Sequence, residues 1–203
     1  MDIPFILLSV VLCILAYLLG SVSTAIIVCK VFGYPDPRSE GSNNPGATNV
    51  LRIAGKGPAL LTLAGDVGKG ILPIVIGRYL LPNDHLLAII GLCAFLGHLF
   101  PLYFNFEGGK GVATALGVIT TLSWPIGVAI MLIWLIVAIL GRFSSLAALV
   151  SWALAPLLVH LYHPALFYPV LIMTVLLIYR HHANIKKLLA GTESRIGDKK
   201  KTT

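Results

Sequence analysis

Charged residues are scarce in this chain, and their scarcity argues against a soluble globular protein. Of 203 residues only 11% are charged, whereas 57% are hydrophobic. Soluble domains carry about 25% charged residues, which cover the surface that faces water. A chain with so few charges has to place apolar side chains against lipid. The composition therefore predicts an integral membrane protein of several helices, and the length suits one domain over residues 1–203.

Acidic residues and cysteines are also few. The chain has 8 Asp and Glu against 15 Lys and Arg, and only 3 cysteines. The basic residues lie between apolar runs, which is typical of a topology signal and not of a nucleic-acid surface. Cys13, Cys29 and Cys93 lie inside apolar runs and form no CxxC or Cys/His spacing. We therefore expect no metal centre, no disulfide framework, no cofactor and no nucleic-acid partner.

The first apolar stretch does not have the pattern of a cleavable signal peptide. Asp2 stands where a basic segment is needed, and the stretch is too long and lacks a small-residue cleavage pattern. It is therefore expected to remain as a transmembrane helix. Lys30 follows it directly, which predicts that the N-terminus lies outside.

Apolar segments of the length that crosses a bilayer recur along the chain. Clear segments are residues 4–28, 58–80, 86–104, 146–162 and 164–179. The uncharged stretch 111–140 would be about 45 Å long as one helix, which exceeds a bilayer core of about 30 Å. The Ser-Trp-Pro sequence at 123–125 predicts a break and hence two spans there.

The basic residues distinguish seven spans from six. With seven, nearly all of the 15 Lys and Arg lie on one side, together with a basic tail at residues 185–203. The sequence therefore predicts an all-α integral membrane protein with seven transmembrane helices, the N-terminus outside and the C-terminus cytoplasmic. Four polar segments, at 34–56, 105–114, 141–145 and from 180 onward, then meet at the cytoplasmic face. No internal repeat of the kind found in many transporters is evident.

The first polar segment, residues 39–49, combines glycines, hydroxyl groups and amides. Glycines let backbone N–H groups approach an anion closely, and nests of such groups bind phosphate. Arg52, just beyond the segment, is suited to bidentate contact with phosphate oxygens. The segment is not a Walker A loop, because Ala47 stands where that motif needs lysine. A polar loop between two membrane helices remains the alternative.

The second polar segment surrounds one cation with three glycines, Gly108, Gly109 and Gly111. It is followed at once by an apolar run, which places Lys110 near the N-terminus of a helix at the membrane surface. Both the ammonium group and the helix N-terminus attract anions. The alternative is a flexible loop whose lysine serves only topology.

Two further segments contribute polar groups. His181 and Asn184 are three residues apart, hence on one helix face, where a histidine beside an amide could orient or deprotonate a hydroxyl substrate. A basic helix end at the membrane interface is the alternative. Ser144 and Ser145 lie in a short loop, where either donates a hydrogen bond to a ligand or caps the next helix.

Asp66 and Lys69 are charged residues inside a predicted span. They are three residues apart and therefore lie on one helix face. Charges within a membrane are costly and frequently functional, although a structural pair that fixes packing fits equally well. His98, near the inner end of the third span, is either an interface histidine or a support of the polar site, and we expect the second.

The polar segments resemble a known family. The runs GSNNPGATNV at 41–50, GGKGVAT at 108–114 and RHHAN at 180–184 are similar to the three motifs of the small bacterial membrane glycerol-3-phosphate acyltransferases, the PlsY family. The resemblance covers nearly the whole chain. It implies transfer of an acyl group from acyl-phosphate to the 1-hydroxyl of sn-glycerol 3-phosphate, which yields lysophosphatidic acid and phosphate in the first step of phospholipid synthesis.

The resemblance implies that Ser42, Asn43, Arg52 and Lys110 bind phosphate, while the polar segments themselves add their glycines and amides. The full set expected to bind substrate or phosphate is Ser42, Asn43, Gly46, Asn49, Arg52, Gly108, Gly109, Lys110, Gly111 and Ser145. Candidate catalytic residues are Lys110, His181, Asn184, Ser42 and Arg52. Asp66, Lys69 and His98 are expected to support them. The proton acceptor is either His181 or a phosphate oxygen of a substrate, and direct transfer needs no acyl-enzyme.

The location implied is the bacterial inner membrane, with a multi-pass chain whose active site faces the cytoplasm. The expected partners are the bilayer, the two substrates and a soluble enzyme that forms acyl-phosphate. Acyl-carrier-protein and acyl-CoA remain alternative donors. A transporter of anions or phosphate esters remains the alternative from another class, and a scaffold that recruits soluble lipid enzymes is a third. The H-x4-D motif of the large glycerolipid acyltransferases is missing.

Overall fold

A computed structural model describes residues 3–197, which form an all-helical bundle. Its ten helices are α1 Ile3–Gly20, α2 Thr24–Val31, α3 Ala47–Ala54, α4 Lys56–Leu80, α5 Asp84–Leu99, α6 Val112–Leu122, α7 Trp124–Gly141, α8 Ser144–Tyr162, α9 Phe167–Arg180 and α10 His182–Leu189. Single 3-10 turns lie at Leu102–Phe104 and Pro164–Leu166. Three lysines of the predicted basic tail, Lys199, Lys200 and Lys201, lie outside the described residues.

The predicted spans correspond to helices of the bundle. In the described part of the chain, five segments are long and apolar enough to cross a membrane, namely α1 with α2, then α4, α5, α7 and α8. A sixth, from Pro164 through α9 and α10, is bent by 56°. The 11-residue helix α6 is apolar but shorter. The predicted break between the two halves of 111–140 is confirmed, because α6 ends at Leu122 and α7 begins at Trp124.

Local sequence explains where several helices begin and end. The Asn83 side chain accepts a hydrogen bond from the Leu86 N–H at 3.1 Å and so caps α5. Pro125 lies in the first turn of α7, where a missing N–H costs nothing. Gly55, at φ +85°, turns the chain between α3 and α4. The break between α1 and α2, at residues 21–23, was not foreseen in the sequence.

Small residues bring the helices into close contact around α5. A Cβ atom added to Gly20 would overlap the Ala94 carbonyl oxygen, and one added to Gly97 would overlap the Tyr17 carbonyl oxygen. Helix α5 is accordingly the most enclosed span, with 56% of its apolar window buried, compared with 22% for α7. Small residues at contacts are how helices associate in lipid, where the hydrophobic effect gives no driving force between them.

We expect the Gly70→Ala substitution to destabilise the bundle at the contact between α4 and α6. The added methyl group would overlap the Thr114 carbonyl oxygen and lie 3.0 Å from the Val118 nitrogen, so backbone would have to shift. Overpacking of this kind costs about 1–3 kcal/mol. Thermal unfolding in detergent measures the loss.

The matched control is Gly68→Ala on the same helix. Nothing lies within 4 Å of a Cβ atom at Gly68, so the free energy of unfolding should change by less than ~1 kcal/mol. Equal unfolding temperatures for the two variants would contradict the close contact of α4 with α6.

Candidate active site

The loop before α3 is shaped by the amide of Asn49. Its side-chain oxygen accepts a hydrogen bond from the Ser42 N–H at 2.8 Å, and its NH2 group donates to the Pro37 and Glu40 carbonyl oxygens, both at 2.9 Å. Asn49 is buried in α3 and therefore holds residues 37–42 against that helix. The loop turns outward at Asn43, which has φ +56°. Its exposed edge presents Ser42 and Asn43 to a cavity.

The glycine-rich loop before α6 is packed too tightly for side chains. A Cβ atom at Gly108 would overlap the His98 carbonyl oxygen, and one at Gly109 would overlap the imidazole Nε2 of His98. The Gly109 N–H donates to the His98 carbonyl at 3.1 Å. Arg180 donates to the Gly108 carbonyl at 2.5 Å and to the Gly109 carbonyl at 3.1 Å. Gly111, at φ +84°, then starts α6 and leaves Lys110 beside the helix N-terminus.

A short series of side-chain hydrogen bonds joins three polar segments that are far apart in the sequence. The Lys110 ammonium donates to the Asn184 amide oxygen at 2.5 Å. The Asn184 NH2 group donates to the Glu193 carboxylate at 2.7 Å, and the Ser145 hydroxyl donates to the same carboxylate oxygen at 2.6 Å. The loop before α6, the start of α8 and the segment after α10 are therefore joined at one place.

The segment after α10 lies across this end of the bundle. Arg52 donates to the Ser194 carbonyl at 3.4 Å, and the Ile196 N–H donates to the Arg142 carbonyl at 2.6 Å. The Arg195 guanidinium lies 5.5 Å from the centre of the Phe143 ring. These contacts hold Glu193 over the site.

Beneath this segment is a cavity of about 310 Å³. Among the described residues, the cavity lining includes four cations and one acid. The cations are Arg52, Lys110, Arg180 and Lys187, and the acid is Glu193. Backbone and side chains of Ser42 and Asn43 complete one wall. A concave, mainly cationic site of this size suits a small ligand with one or two phosphate groups. Within residues 3–197, no group of three or more His, Cys, Asp or Glu side chains is placed to hold a metal ion.

Lys110 is partly buried, and the cations around it disfavour its positive charge. Burial, together with the smaller effects of Arg52, Lys187 and Arg180, lowers the pKa of Lys110 to about 8, while Glu193 acts in the opposite direction. An anion in the cavity would favour the charged form and raise this pKa. Lys110 is therefore suited to binding an anion near neutral pH.

The structure brings some of the predicted substrate-binding and catalytic residues to the cavity and leaves others outside its lining. Those that line the cavity are Ser42, Asn43, Arg52, Gly108, Lys110 and Asn184. Those outside the lining are Gly46, Asn49, Gly109, Gly111, Ser145 and His181. Asn49 uses its amide entirely inside its own loop, and Ser145 reaches the site through Glu193.

His181, the candidate base, is buried at the junction of α9 and α10. Its Nδ1 lies 2.8 Å from the Leu177 carbonyl oxygen. Because a carbonyl only accepts, Nδ1 carries the proton in the neutral ring, and Nε2 is the nitrogen left to accept one. His182, the exposed neighbour, is the histidine that lines the cavity.

Three charged residues of the site, Arg180, Lys187 and Glu193, were missed by reasoning from the sequence. Arg180 stands beside His181 in the third polar motif, so its position was a usable signal. Lys187 follows Asn184 by three residues and hence shares its helix face. Glu193 had no such signal, because a lone acid in a basic tail indicates nothing without the fold that brings it to Lys110.

The charged residues inside the spans lie on the other side of His98 from the cavity. Asp66 and Lys69 are both buried in α4, with the carboxylate and ammonium 3.0 Å apart. The Nδ1 of His98 is 3.6 Å from the same Asp66 oxygen.

Comparison with known proteins identifies the family. A sequence model of the glycerol-3-phosphate acyltransferase family matches residues 10–191. The chain belongs to this family. A glycerol-3-phosphate acyltransferase of Methylococcus capsulatus is 54% identical over 187 residues, which cover 91% of this chain and 94% of the relative. One of Vibrio vulnificus is 50% identical over 193 residues, covering 95% of each chain.

Solved structures agree with this assignment. The crystal structure of PlsY, an integral membrane glycerol 3-phosphate acyltransferase, in its glycerol 3-phosphate form has a TM-score of 0.89 and 38% identity, and the match covers 93% of this chain and 96% of that one. The lysophosphatidic acid form has a TM-score of 0.86 and 37% identity, with 93% and 95% covered. The chain is thus a glycerol-3-phosphate acyltransferase of the PlsY type, a membrane enzyme of phospholipid synthesis.

We expect anion binding by this acyltransferase to weaken as the pH rises through 8. Lys110, with a pKa of about 8 in the free site, loses its charge there and with it the attraction for an anion. Sulfate is the suitable probe because its charge is constant over this range. Calorimetric titration should give a Kd about tenfold higher at pH 9 than at pH 7, as expected for one proton lost per site.

The control is Lys110→Arg, because a guanidinium stays charged throughout this range. Its sulfate affinity, whatever its absolute value, should be independent of pH between 7 and 9. The same dependence in both proteins would show that a group other than Lys110 titrates.

Proposed function

We propose that the chain transfers an acyl group from acyl-phosphate to the 1-hydroxyl of sn-glycerol 3-phosphate and releases inorganic phosphate. The observation that carries this proposal is the convergence of Arg52, Lys110, Arg180 and Lys187 on one cavity at the end of an apolar bundle. Such a cavity suits a water-soluble phosphorylated acceptor, while the surrounding helices suit an acyl chain, whose burial is worth roughly 0.8 kcal/mol per CH₂.

The number of cations favours acyl-phosphate over a thioester as donor. Acyl-phosphate brings a second phosphate to the reacting carbon, so the transition state carries the charges of both the acceptor and the leaving group. A thioester brings only sulfur to that position. Four cations around one cavity balance two phosphate groups better than one.

In the proposed reaction, the 1-hydroxyl oxygen attacks the acyl carbonyl carbon, and the bond from that carbon to the phosphate oxygen breaks. The electron pair leaves with the phosphate. The hydroxyl proton passes either to Nε2 of His181 or to a phosphate oxygen of a substrate. The donor is a mixed anhydride and already activated, so positioning and charge stabilisation suffice and transfer is direct, without an acyl-enzyme.

The side chains have distinct proposed roles. Arg52 and Lys110 bind and neutralise phosphate, together with Ser42 and Asn43 at the cavity wall. Asn184 orients the Lys110 ammonium and the glycerol hydroxyl groups. Four residues outside the cavity lining act on loop shape, and these are Gly46, Asn49, Gly109 and Gly111. Ser145 acts through its hydrogen bond to Glu193.

We further propose seven membrane crossings, with the N-terminus outside and the active site facing the cytoplasm of a bacterium. The loop before α6, the start of α8 and the segment after α10 meet at one site through Lys110, Ser145 and Glu193. An even number of crossings must therefore separate each pair of these segments. Helices α6 and α7 lie between the loop before α6 and the start of α8. Since α7 is long enough to cross the membrane, the short helix α6 must cross it too, so that the number of crossings is even. Basic residues gather at this end, as expected on the cytoplasmic side.

The experiment that tests the proposal compares donors. Protein in lipid nanodiscs receives glycerol 3-phosphate with acyl-phosphate, acyl-carrier-protein or acyl-CoA, and lysophosphatidic acid is measured by mass spectrometry. We expect product from acyl-phosphate alone, and at least a hundredfold loss of turnover in Lys110→Ala. The matched control is Lys186→Ala, an exposed lysine of α10 outside the cavity lining, which should retain turnover.

Other outcomes of the donor comparison are decisive. Product from a thioester but not from acyl-phosphate would overturn the proposed donor. Folded protein that forms no product from any donor, but takes up glycerol 3-phosphate into proteoliposomes, would favour a transporter. A soluble enzyme that forms acyl-phosphate is the expected partner, and its addition with its own substrates should replace added acyl-phosphate.

We expect Asn184→Ala to raise the KM for glycerol 3-phosphate at least tenfold. The substitution removes the acceptor that orients the Lys110 ammonium and the donor that holds Glu193. Hydrogen bonds to charged groups contribute about 1.5–3 kcal/mol, which corresponds to a factor of ten or more. Asn83→Ala, which removes the cap of α5 away from the site, should lower stability and leave KM unchanged. An unchanged KM in Asn184→Ala would remove this residue from the site.

A further inference from the structure

A network of charged and polar side chains lies inside the spans, separate from the cavity lining. The Lys69 ammonium is 3.0 Å from the Asp66 carboxylate and donates to the Val22 carbonyl at 2.9 Å. The Nδ1 of His98 lies 3.6 Å from the same carboxylate oxygen. Asp66, Lys69 and His98 are 2%, 5% and 7% exposed. We call these three residues the buried network.

Stability alone does not account for this network. Removing a carboxylate and an ammonium from water is costly, and apolar residues of similar volume in place of a buried pair are often neutral or stabilising. The Asp66 oxygen that faces Lys69 is not well aligned for a hydrogen bond, so the contact is mainly ionic. A charged pair inside a membrane helix points to a role at a functional site.

The buried network reaches the active site through His98. The carbonyl of His98 accepts the Gly109 N–H at 3.1 Å, and the ring lies where a side chain of Gly109 would be. The Pro45 carbonyl of the first loop is 3.1 Å from the same Gly109 Cβ position. His98 therefore supports the glycine-rich loop from below, at the point where it meets the first loop. Lys110 is the next residue along.

We propose that Asp66, Lys69 and His98 are positioning residues that set the conformation of the glycine-rich loop and thereby the place of the Lys110 ammonium in the cavity. Asp66 holds the His98 ring, and Lys69 balances the Asp66 charge and ties it to the break between α1 and α2. None of the three has to touch substrate. The proposal rests on the proposed function, since it assigns Lys110 the binding of the acceptor's phosphate.

The test replaces the pair by apolar residues of similar size, Asp66→Leu/Lys69→Met. If the network has no positioning role, the folded variant should bind glycerol 3-phosphate with the KM and Kd of the wild type, whatever its stability. Positioning predicts instead a folded protein whose KM and calorimetric Kd for glycerol 3-phosphate both rise at least tenfold, with a smaller change in kcat. The matched control is Thr174→Val, a buried polar residue that bonds the Trp152 carbonyl on the other side of the bundle, which should keep both constants.

If the double variant does not fold, two milder variants test the positioning role instead. Asp66→Asn keeps the volume and an acceptor oxygen and removes the charge, and His98→Gln removes the ring beside Gly109. We expect each to raise the same two constants by at least threefold. Constants within twofold of wild type, or a lower kcat with an unchanged KM, would mean a purely structural network and overturn the proposal.

The binding measurement separates this proposal from the proposed reaction. Wild-type protein that forms no product from any donor would overturn the reaction, while its Kd for glycerol 3-phosphate would still report the loop geometry. Normal turnover with unaffected binding in the variants would overturn only the positioning role.

Discussion

Backbone groups that face lipid have no water to bond, and this constraint organises the whole molecule. Each N–H and C=O within the bilayer must find a partner in its own segment, so every span is helical and irregular chain is confined to helix ends. The glycine-rich loop, the first polar loop and the segment after α10 all lie at such ends. The exception is the break between α1 and α2, where the Lys69 ammonium bonds the Val22 carbonyl.

Electrostatics then determine what the shared end of the bundle is suited to bind. The four cations of the cavity, Arg52, Lys110, Arg180 and Lys187, repel one another. Hydrogen bonds to carbonyl and amide oxygens hold three of them, Arg52, Lys110 and Arg180, in place. The free energy of folding therefore offsets the repulsion between these cations, and ligand binding does not have to supply it. Glu193 offsets part of the charge through its contacts with Asn184 and Ser145. An arrangement fixed in advance stabilises developing negative charge without reorganisation.

Sequence reasoning was most accurate where one local rule decided the outcome. The break at Ser123 followed from a Trp-Pro start that suits a first helical turn. The glycines around Lys110 were expected to let backbone approach an anion, and in the structure close packing against His98 and Phe95 leaves no room for side chains there. The break at residues 21–23 was missed because the Val22 carbonyl that it leaves without a helical partner accepts a hydrogen bond from Lys69, which is far away in the sequence. Asn49 was expected at phosphate, and its amide is used inside the loop instead.

By itself, the sequence determined the membrane class, the apolar helical segments, the polar segments and the resemblance to a family, because these depend on composition and on neighbours within a few residues. Only the tertiary structure decided that Glu193 bonds Asn184, that Arg180 holds the glycine-rich loop and that His98 links it to Asp66. Contacts of this kind depend on how helices pack and turn against one another. That packing is set by many small residues acting together, and no single local pattern encodes it.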